Sequence, residues 1–503
     1  SPEPRRSLLR ASDTCWRVAR ARRAAFLVDG EVFFTALAAA LERARHQVIL
    51  LGWDFHGRVR LRRDARRRAL PDDFLGLLEA LLERRPGLEI YVLGWSYGIV
   101  RAIARELAPR LHLGLHQHPR LHFRLDADHP LLASHHQKIV AIDDATAFSG
   151  GFDVTTSRWD TRAHLPDDRR RVAPGGHRYG PFHDVQMAVD GDAAAALAEL
   201  ARERWQRATG VRLAPPPPSQ HDAWPVELVP SARQVEVGIS RTEPGRGRAP
   251  IREIEALFVA TIAAAERTIY AESQYLTSDR IVEALAARLA ERSGPEIVVV
   301  NPQRSPAWLE EISMGVLRAH AVHRLRRADR HGRLGIFYPR LPSGCLNVHS
   351  KVTVVDDRLA RVGSANLANR SLALDTECDL SIESQGRADV ARAITALRDD
   401  LVAEHLGTTE ARVREAVRER GSLLAAIAAL RGGKRSLEPL RVPEPGLATA
   451  LVEWTGIADP GRPSAVAERL ASRPRRQRRG WVRHALRFAA AAAAAAGLAE
   501  LAS

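Results

Sequence analysis

Hydrophobic and polar positions alternate along the chain with the periods of helices and strands. Stretches with apolar residues three and four positions apart are followed by short apolar runs of strand length. EVFFTALAAALERARHQVILLGWDF from Glu31 and IREIEALFVATIAAAERTIYAESQY from Ile251 each place a helix before a strand. Each leads to a further apolar strand, LEIYVL from Leu88 and PEIVVV from Pro295. The pattern predicts an α/β fold that arose by internal duplication.

The predicted boundaries divide the chain into two halves and a tail. The first half covers residues 26–213, and the second covers residues 251–405. Residues 214–250 contain four consecutive prolines and are predicted to form a stiff linker with a connecting strand. The tail, residues 406–503, is predicted to be helical and basic.

The composition narrows the class of protein and of partner. Hydrophobic residues make up 45% and charged residues 27% of the 503 positions, which excludes a disordered or fibrous chain. Three cysteines are too few for a disulfide framework or a four-thiolate metal site. The net charge of +15 favours an anionic partner such as a phosphate ester, nucleic acid or acidic lipid. The arginine excess of a GC-rich genome explains this charge equally well.

Lysine is rare in this chain, and two of its few lysines lie in a repeated motif. Only three of the 75 basic residues are lysines, at positions 138, 351 and 434. The pattern H-x-K-x4-D occurs twice, 213 positions apart: His136, Lys138 and Asp143 in the first copy, and His349, Lys351 and Asp356 in the second. Two copies in register arise by chance with a probability of roughly one in ten thousand. The motif indicates a site that needs a compact ammonium group.

The spacing within each copy suits the binding of an anion. On an extended strand, the His and the Lys point to the same face and can reach one anion. The Asp lies on the opposite face, which favours a structural or orienting function for it. Small residues after the next turn would let backbone N–H groups approach a phosphate. These segments are Gly150, Gly151, Phe152 and Asp153 in one copy, and Gly363, Ser364, Ala365 and Asn366 in the other.

Both copies resemble the paired H-x-K-x4-D-x6-G-[GS]-x-[ND] signature of the phospholipase D superfamily, over about residues 26–410. Asp153 stands where many members have Asn, and Ser273 where Asn is common. The resemblance implies two α/β/α sandwich lobes related by a pseudo-twofold axis, with the active site at their interface. Further segments resemble the eukaryotic-like branch: GGFDVTTSRWD from Gly150, PFHDVQMAV from Pro181, YAESQYLTS from Tyr270 and GSANLANRSLALDTE from Gly363.

The resemblance also implies a role for each residue. His136 would attack phosphorus to give a phosphohistidine, and His349 would protonate the leaving alcohol and then activate water or a second alcohol. Asp184 would orient His349, and Glu377 would orient His136. The expected phosphate-binding residues are Lys138, Lys351, Asn366, Ser364 and Asp153. The expected catalytic set is His136, Lys138, Asp143, His349, Lys351, Asp356, Asp184 and Glu377.

The function implied by the resemblance is that of a phospholipase D. Such an enzyme cleaves the distal phosphodiester bond of glycerophospholipids to give phosphatidic acid and a free alcohol, and can transfer the phosphatidyl group to other alcohols. We expect a monomer that acts on phospholipid at a membrane surface, with no specific nucleic acid partner and no metal or other cofactor required for the chemistry. The expectation leaves any dependence on calcium open.

Three alternatives stay open. A cardiolipin-synthase-like transferase would use the same covalent chemistry, although the usual paired N-terminal membrane spans are absent here. A phosphodiesterase acting on nucleic acid agrees with the positive charge, but the sequence lacks an aromatic and basic stacking pattern. A membrane-binding module without activity would carry damaged motifs, and both motifs are intact.

Two weaker signals concern the surroundings of the site. Seven histidines lie between His112 and His136, and they favour a polar loop over a metal site because no carboxylate or Cys stands at a familiar spacing. Corresponding strands of the two halves end in polar and aromatic residues that either line the pocket or pack ordinarily. These residues are Trp53, Asp54, Glu272, Gln274 and Tyr275.

The end of the tail is basic and then apolar. Seven arginines between Arg473 and Arg487 surround Trp481 and lead into Phe488 and eight alanines, and no run of eighteen apolar residues occurs. Three interpretations stay open: an amphipathic anchor on an acidic membrane, the opening of a transmembrane helix, or a solvated charged helix. We expect a cytoplasmic enzyme held at the inner membrane by this basic segment.

Overall fold

Helices and strands alternate as the hydrophobic pattern predicts. The computed structural model describes residues 6–64, 68–96, 118–130, 133–218, 222–245, 249–304, 314–444 and 459–461. The first half contains strands β1 (Arg17–Val28), β2 (Gln47–Gly52), β3 (Glu89–Trp95), β4 (Leu121–Asp126), β5 (Ile139–Ile142), β6 (Thr146–Gly150), β7 (Phe182–His183) and β8 (Val185–Asp190). Its helices are α1 (Gly30–Leu41), α2 (Phe74–Arg84) and α3 (Gly191–Thr209).

The second half and the tail continue the alternation. Their strands are β9 (Ala232–Glu243), β10 (Ile251–Arg252), β11 (Thr268–Glu272), β12 (Glu296–Val300), β13 (Leu334–Leu341), β14 (Gly344–Cys345), β15 (Asn347–Val348), β16 (Val352–Val355), β17 (Leu359–Gly363), β18 (Glu377–Glu383) and β19 (Ser436–Pro439). Their helices are α4 (Glu253–Ala264), α5 (Asp279–Ala290), α6 (Val316–Ala328), α7 (Asn369–Ala373), α8 (Ala388–Leu406), α9 (Glu410–Arg420) and α10 (Leu423–Leu430).

The two halves have the same strand order. In the first half the order is β4-β3-β2-β5-β6-β8-β1, with β2, β3 and β4 parallel and the other pairs antiparallel. The second half repeats it as β13-β12-β11-β16-β17-β18-β9. Strands β1 and β9 pair antiparallel and join both halves into one sheet. This repeated order is what an internal duplication produces, and the pseudo-twofold axis stays a prediction.

Helices cover both faces of the sheet. On one face, α3 and α8 share a buried cluster with the strands of both halves. On the other face, α1 and α2 pack against the first half, and α4, α5 and α6 pack against the second. A sheet covered on both faces requires strands that are apolar on both sides, and every residue of β2, QVILLG, is buried. The predicted α/β class is confirmed.

Helix α8 ends where its side chains meet the first half of the chain. Gly407 follows its last residue with a φ of 63°, a left-handed conformation that glycine adopts without steric cost. Thr409 then caps α9 by accepting a hydrogen bond from the N–H of Arg412. The last turn of α8 thereby places Glu404 and His405 in the interior.

The structure places the predicted boundaries as follows. Strand β1 begins at Arg17, ahead of the predicted start at residue 26, and the predicted connecting segment 214–250 contains β9. In the tail, β19 pairs with β13. The arginine-rich stretch 473–487 and the alanines after it lie outside the described residues. Within the described ranges, no helix reaches the length and hydropathy that a membrane span requires.

Candidate active site

The two motifs lie at the same edge of the sheet. His136 and Lys138 directly precede β5, and His349 and Lys351 directly precede β16. Each motif therefore stands just before its strand rather than within it. Since β5 runs antiparallel to β2, and β16 antiparallel to β11, both motifs meet the carboxyl ends of the parallel strands. In α/β sheets this edge faces the ligand crevice.

His136 is held by a carboxylate from the second half. Its Nδ1 lies 2.8 Å from Oε2 of Glu377, the first residue of β18. The backbone fixes the same contact, because the N–H of His136 donates to the carbonyl of Thr376 at 3.0 Å. The His136 side chain is 16% exposed, whereas the Glu377 side chain is fully buried. With Nδ1–H donated to the carboxylate, Nε2 is the nitrogen left for a substrate.

His349 is held in the same way by the first half. Its Nδ1 lies 2.7 Å from Oδ2 of Asp184, which is buried. Strands β7 and β15 pair in parallel just before these residues, and the N–H of His349 donates to the carbonyl of His183 at 2.8 Å. Each motif histidine thus depends on a carboxylate from the opposite half of the chain.

The two motif lysines are buried beside their histidines. Nζ of Lys138 donates to the carbonyl of His136 at 3.0 Å and lies 3.4 Å from Oδ2 of Asp153. Nζ of Lys351 donates to the carbonyl of His349. The pKa of Lys351 is lowered to about 8, because burial and the charge of Lys138 together outweigh the opposing charge of Asp184. Two buried lysines whose charges act on each other favour the binding of an anion near them.

Burial and the lysines shift the protonation of both histidine pairs. Burial, followed by Lys138 and Lys351, lowers the pKa of His136 well below its ordinary value. Burial and the same two lysines also lower the pKa of His349. The lysines of both motifs lower the pKa of each histidine, which indicates that the two motifs contribute to one site. Burial raises the pKa of Glu377 to about 8 and that of Asp184 to about 7.

The glycines after the motifs make room for buried carboxylates. A Cβ added at Gly151 would lie 1.9 Å from Oδ1 of Asp184, and a Cβ added at Gly363 would lie 1.8 Å from Oδ1 of Asp379. The sequence predicts that small residues here let the backbone approach a phosphate. The structure adds a second reason for them, because Gly151 leaves space for the carboxylate that holds His349.

The remaining predicted phosphate-binding residues have partners within the protein. The hydroxyl of Ser364 donates to Oε2 of Glu377 at 2.5 Å. Asn366 is buried, with its Oδ1 3.5 Å from the hydroxyl of Ser273. Asp153 accepts the backbone N–H of Trp53 at 2.8 Å.

The motif aspartates hold the turns at the far ends of their strands. Asp143 accepts three backbone N–H groups at 2.6–2.8 Å, from residues 45, 46 and 47 at the start of β2. Asp356 accepts three at 2.8–2.9 Å, from residues 266, 267 and 268 at the start of β11. Each therefore ties β5 or β16 to the neighbouring parallel strand, at the end opposite the histidines. Both aspartates belong to the predicted catalytic set. Among the described residues, their carboxylates accept hydrogen bonds from these backbone N–H groups and not from the motif histidines or lysines.

The predicted pocket-lining residues take different positions. Trp53 stacks on Trp95 with ring centroids 5.7 Å apart, and Asp54 accepts a hydrogen bond from Thr155 at 2.8 Å. The amide of Gln274 donates to the hydroxyl of Tyr275 at 3.0 Å. Glu272 is fully buried and takes part in a hydrogen-bonded network with histidines.

The described histidines of the segment His112–His136 have separate partners. His122 pairs with Glu89 at 2.8 Å, His129 accepts from Trp95 at 2.9 Å, and His135 contacts Thr376 at 3.0 Å. Positions 97–117 lie outside the described residues. A different buried group, which the sequence did not predict, contains Asp29, His164, His183 and Glu404.

Comparisons with known proteins agree with this geometry. Residues 258–398 match the family model described as "Cardiolipin synthase, PLD-like domain". Cardiolipin synthase A of Pseudomonas entomophila (strain L48) is 28% identical over 378 residues, which cover 72% of this chain and 65% of that protein. Phospholipase D alpha 4 of Arabidopsis thaliana is 25% identical, covering 73% of this chain and 62% of that protein. The chain thus spans less than two thirds of the length of either relative.

A solved structure supports the fold. Phosphatidylserine synthase of Haemophilus influenzae Rd KW20 superposes with a TM-score of 0.53 and 12% sequence identity, over 82% of this chain and 96% of that one. The paired motifs, the carboxylates that cross between the halves and these similarities agree with one another. Residues 258–398 match a PLD-like domain, and the predicted resemblance to the phospholipase D superfamily is confirmed.

Proposed function

We propose that this chain cleaves the distal phosphodiester bond of a phospholipid through a covalent phosphohistidine, with hydrolysis of the phospholipase D type as its reaction. One geometric observation carries the proposal. Two histidines, each held at Nδ1 by a buried carboxylate from the opposite half, share a site with two buried lysines. Phosphodiester cleavage needs a nucleophile, an acid for the leaving alkoxide and positive charge around the phosphoryl oxygens, and these residues supply all three.

In the first step, Nε2 of His136 bonds to phosphorus while the bond between phosphorus and the leaving oxygen breaks. The ring attacks as the neutral imidazole, which the burial of His136 and the nearby lysines favour. His349 gives a proton to the departing alkoxide, and it takes up this proton when the phosphate binds, because the negative charge of the phosphate opposes the burial and lysine charges that lower the pKa of His349 in the free protein. The products are a phosphatidyl group on His136 and a free alcohol.

In the second step, His349 takes a proton from water as the water oxygen bonds to phosphorus and the phosphorus–nitrogen bond breaks. This step releases phosphatidic acid, regenerates His136 and leaves His349 protonated for the next cycle. An alcohol in place of water gives a phosphatidyl-alcohol by the same route. In both steps Lys138 and Lys351 stabilise the charge on the non-bridging oxygens.

The neighbours of these residues set their positions. The carboxylate of Asp153 would repel a phosphate, and its place beside Lys138 suits it to orient that ammonium group. Glu377, which accepts from both His136 and Ser364, is fixed by the hydroxyl. Because one chain contributes both histidines and both carboxylates, we propose a catalytic monomer that works on phospholipid at a membrane surface.

A second candidate is a cardiolipin-synthase-like phosphatidyltransferase. It is favoured by the description of the matching family model and by the names of the relatives that are 27–28% identical. In this reaction the acceptor in the second step is the hydroxyl of another phosphatidylglycerol, so that two phosphatidylglycerol molecules give cardiolipin and glycerol. The two candidates share the first step and differ only in the acceptor.

The identity of the lipid products tests the proposal. The full chain is incubated with vesicles of phosphatidylcholine and phosphatidylglycerol and a small amount of 1-butanol, and the products are identified by mass spectrometry. We expect phosphatidic acid and phosphatidylbutanol. Cardiolipin as the main product would select the second candidate, and the absence of all three products would overturn both.

Matched variants separate the site from the rest of the chain. His136→Ala and Lys138→Met should abolish product formation, because they remove the nucleophile and one of the two phosphate-binding charges. Lys434→Met should leave it unchanged, because this exposed lysine lies outside the motifs. Activity that survives His136→Ala would contradict the assignment of the nucleophile.

A further inference from the structure

A second cluster of ionisable side chains lies at the interface between the halves. We call Asp29, His164, His183 and Glu404 the interface cluster. Asp29 lies between β1 and α1, His164 in the loop between β6 and β7, His183 in β7, and Glu404 in the last turn of α8. All four are buried. The reaction proposed above uses none of them.

The facing atoms of the interface cluster have the separations of metal ligands. Nε2 of His164 and Nδ1 of His183 lie 2.8 and 2.9 Å from Oε1 of Glu404. Nδ1 of His183 lies 2.9 Å from Oδ1 of Asp29, and Nε2 of His164 lies 3.7 Å from its Oδ2. Ligand atoms bound tetrahedrally to zinc at about 2.0–2.1 Å lie about 3.3 Å apart. The observed separations fall on both sides of this value.

The far nitrogen of each imidazole is held by a further carboxylate. Nδ1 of His164 lies 2.8 Å from Oδ2 of Asp160, and Nε2 of His183 lies 3.0 Å from Oε2 of Glu272. Histidines that bind metals usually donate their other ring N–H to such an acceptor, which fixes the ring and raises its basicity. The interface cluster therefore has the inner and the outer groups of a metal site.

One ligand atom has no hydrogen-bond partner. Oδ2 of Asp29 is buried, accepts no hydrogen bond from the described residues and faces Nε2 of His164. A buried carboxylate oxygen without a donor is costly, and a cation beside it removes this cost. Two carboxylates and two imidazoles are a ligand set that suits zinc and similar divalent metals.

The geometry points to a structural binding site for one divalent transition-metal ion, zinc by its ligand set, formed by Asp29, His164, His183 and Glu404, whose ligand atoms all lie within 4.8 Å of one another. Three ligands come from the first half and one from the second, so the ion joins the two halves. His183 stands next to Asp184, and its carbonyl accepts the N–H of His349. The ion thus supports the strand that orients His349, without taking part in the reaction.

Metal content tests this inference independently of the reaction. The full chain, purified without an affinity tag, is measured by elemental mass spectrometry, and it is loaded with Co²⁺ to record the visible absorption typical of tetrahedral coordination. We expect one metal ion per chain and the tetrahedral Co²⁺ spectrum. Asp29→Asn should weaken Zn²⁺ binding by at least about 100-fold, because loss of an outer partner alone costs about 10–100-fold.

The choice of variants keeps the test interpretable. Asp29 has a strained backbone with a φ of 68° and a ψ of 160°, and asparagine has the same shape and the same Cβ as aspartate, so Asp29→Asn adds no new backbone strain. His164→Gln is a second ligand variant. His122→Gln is the matched control, because His122 also pairs with a carboxylate at 2.8 Å but lies outside the interface cluster, and it should retain the metal.

Three results would overturn the inference. We expect the wild-type chain to bind Zn²⁺ in a direct titration. Failure to bind it would show that protons on the two imidazoles balance the carboxylates instead. Equal Zn²⁺ affinity in the wild type and Asp29→Asn would place the ion elsewhere. A Co²⁺ spectrum of octahedral type would contradict the four-ligand geometry.

Discussion

A single methyl group at position 151 should separate His349 from the carboxylate that orients it. A Cβ added at Gly151 would lie 1.9 Å from Oδ1 of Asp184. The opposite oxygen of this carboxylate holds Nδ1 of His349 at 2.7 Å, and Oδ1 accepts the N–H of Val185 at 2.8 Å. Asp184 is fully buried, and protein interiors are close-packed, so moving its carboxylate requires neighbouring atoms to move as well. Gly151→Ala must therefore displace Asp184, His349 or both.

The required displacement sets the size of the effect. Moving the carboxylate oxygen from 1.9 Å to the 3.4 Å at which ordinary contact begins is a shift of about 1.5 Å. A misplacement of about 1 Å in a catalytic group lowers the rate by about 100-fold. Overpacking of a buried site costs about 1–3 kcal/mol in the free energy of unfolding. We expect kcat on phosphatidylcholine to fall by at least about 100-fold in a protein that remains folded.

Two substrates show which histidine is affected. Phosphatidylcholine has a poor leaving group that needs the proton from His349, whereas p-nitrophenolate leaves phosphatidyl-p-nitrophenol without one. In Gly151→Ala the burst of p-nitrophenolate and the phosphohistidine on His136 should form nearly as fast as in the wild type. Turnover of phosphatidylcholine should be strongly reduced. Gly180→Ala is the matched control, because a Cβ added there meets no atom within 4 Å.

Two outcomes would refute this reasoning. If Gly151→Ala turns over phosphatidylcholine within threefold of the wild type, the close contact with Asp184 does not govern the position of His349. If the burst on phosphatidyl-p-nitrophenol falls as much as the turnover of phosphatidylcholine, the substitution acts on His136 or on the fold. Urea denaturation of both glycine variants distinguishes these two explanations.

Three further predictions follow from the same site. Intact-protein mass spectrometry after incubation with phosphatidyl-p-nitrophenol should show phosphohistidine in His349→Ala and no adduct in His136→Ala. An adduct on His136→Ala would reverse the assigned roles of the two histidines. Because burial raises the pKa of Glu377 from 4.5 to about 8, the folded state keeps a proton that the unfolded state releases, so the free energy of unfolding should fall as pH rises between these values. Glu377→Gln should remove this part of the slope in urea denaturation at several pH values, and an unchanged slope would contradict the shift. Asp143→Ala and Asp356→Ala should each lower the free energy of unfolding by about 3 kcal/mol, because three backbone donors lose their acceptor. The kcat per folded molecule should stay within a few-fold of the wild type. A loss of kcat without a loss of stability would indicate a catalytic role for the aspartate.

The sequence predicts those features that are recorded in local spacing. The α/β class follows from helical and strand periods, and the duplication follows from motifs 213 positions apart. Lys138 precedes β5, and Asp143 follows it in a turn with a φ of 52°, so the contact of Asp143 with backbone donors away from the lysine depends on this turn and not on the strand period alone. The resemblance, rather than spacing, provided Asp184 and Glu377, because no local rule links residues that are 165 and 241 positions from their histidines.

Contacts between distant segments could not be predicted in this way. The space that Gly151 leaves for Asp184 exists only once β6 and β8 lie side by side. The interface cluster unites a turn, a loop, a short strand and a helix end, and its contact between His164 and Glu404 spans 240 positions. A lone histidine or carboxylate in each segment carries no recognisable spacing, so the sequence gives no metal prediction for these residues.

The position of the interface cluster predicts an asymmetric dependence of the two histidines on the metal. His183 belongs to β7, whose pairing with β15 leads directly to Asp184 and His349, whereas His136 is held by β18. Loss of the ion through Asp29→Asn should therefore disturb protonation of the leaving group more than attack on phosphorus. The ratio of turnover on phosphatidylcholine to the burst on phosphatidyl-p-nitrophenol should fall in this variant and stay unchanged in His122→Gln. Equal losses on both substrates would mean that the ion stabilises the fold as a whole, because a uniform loss of folded protein lowers both rates by the same factor.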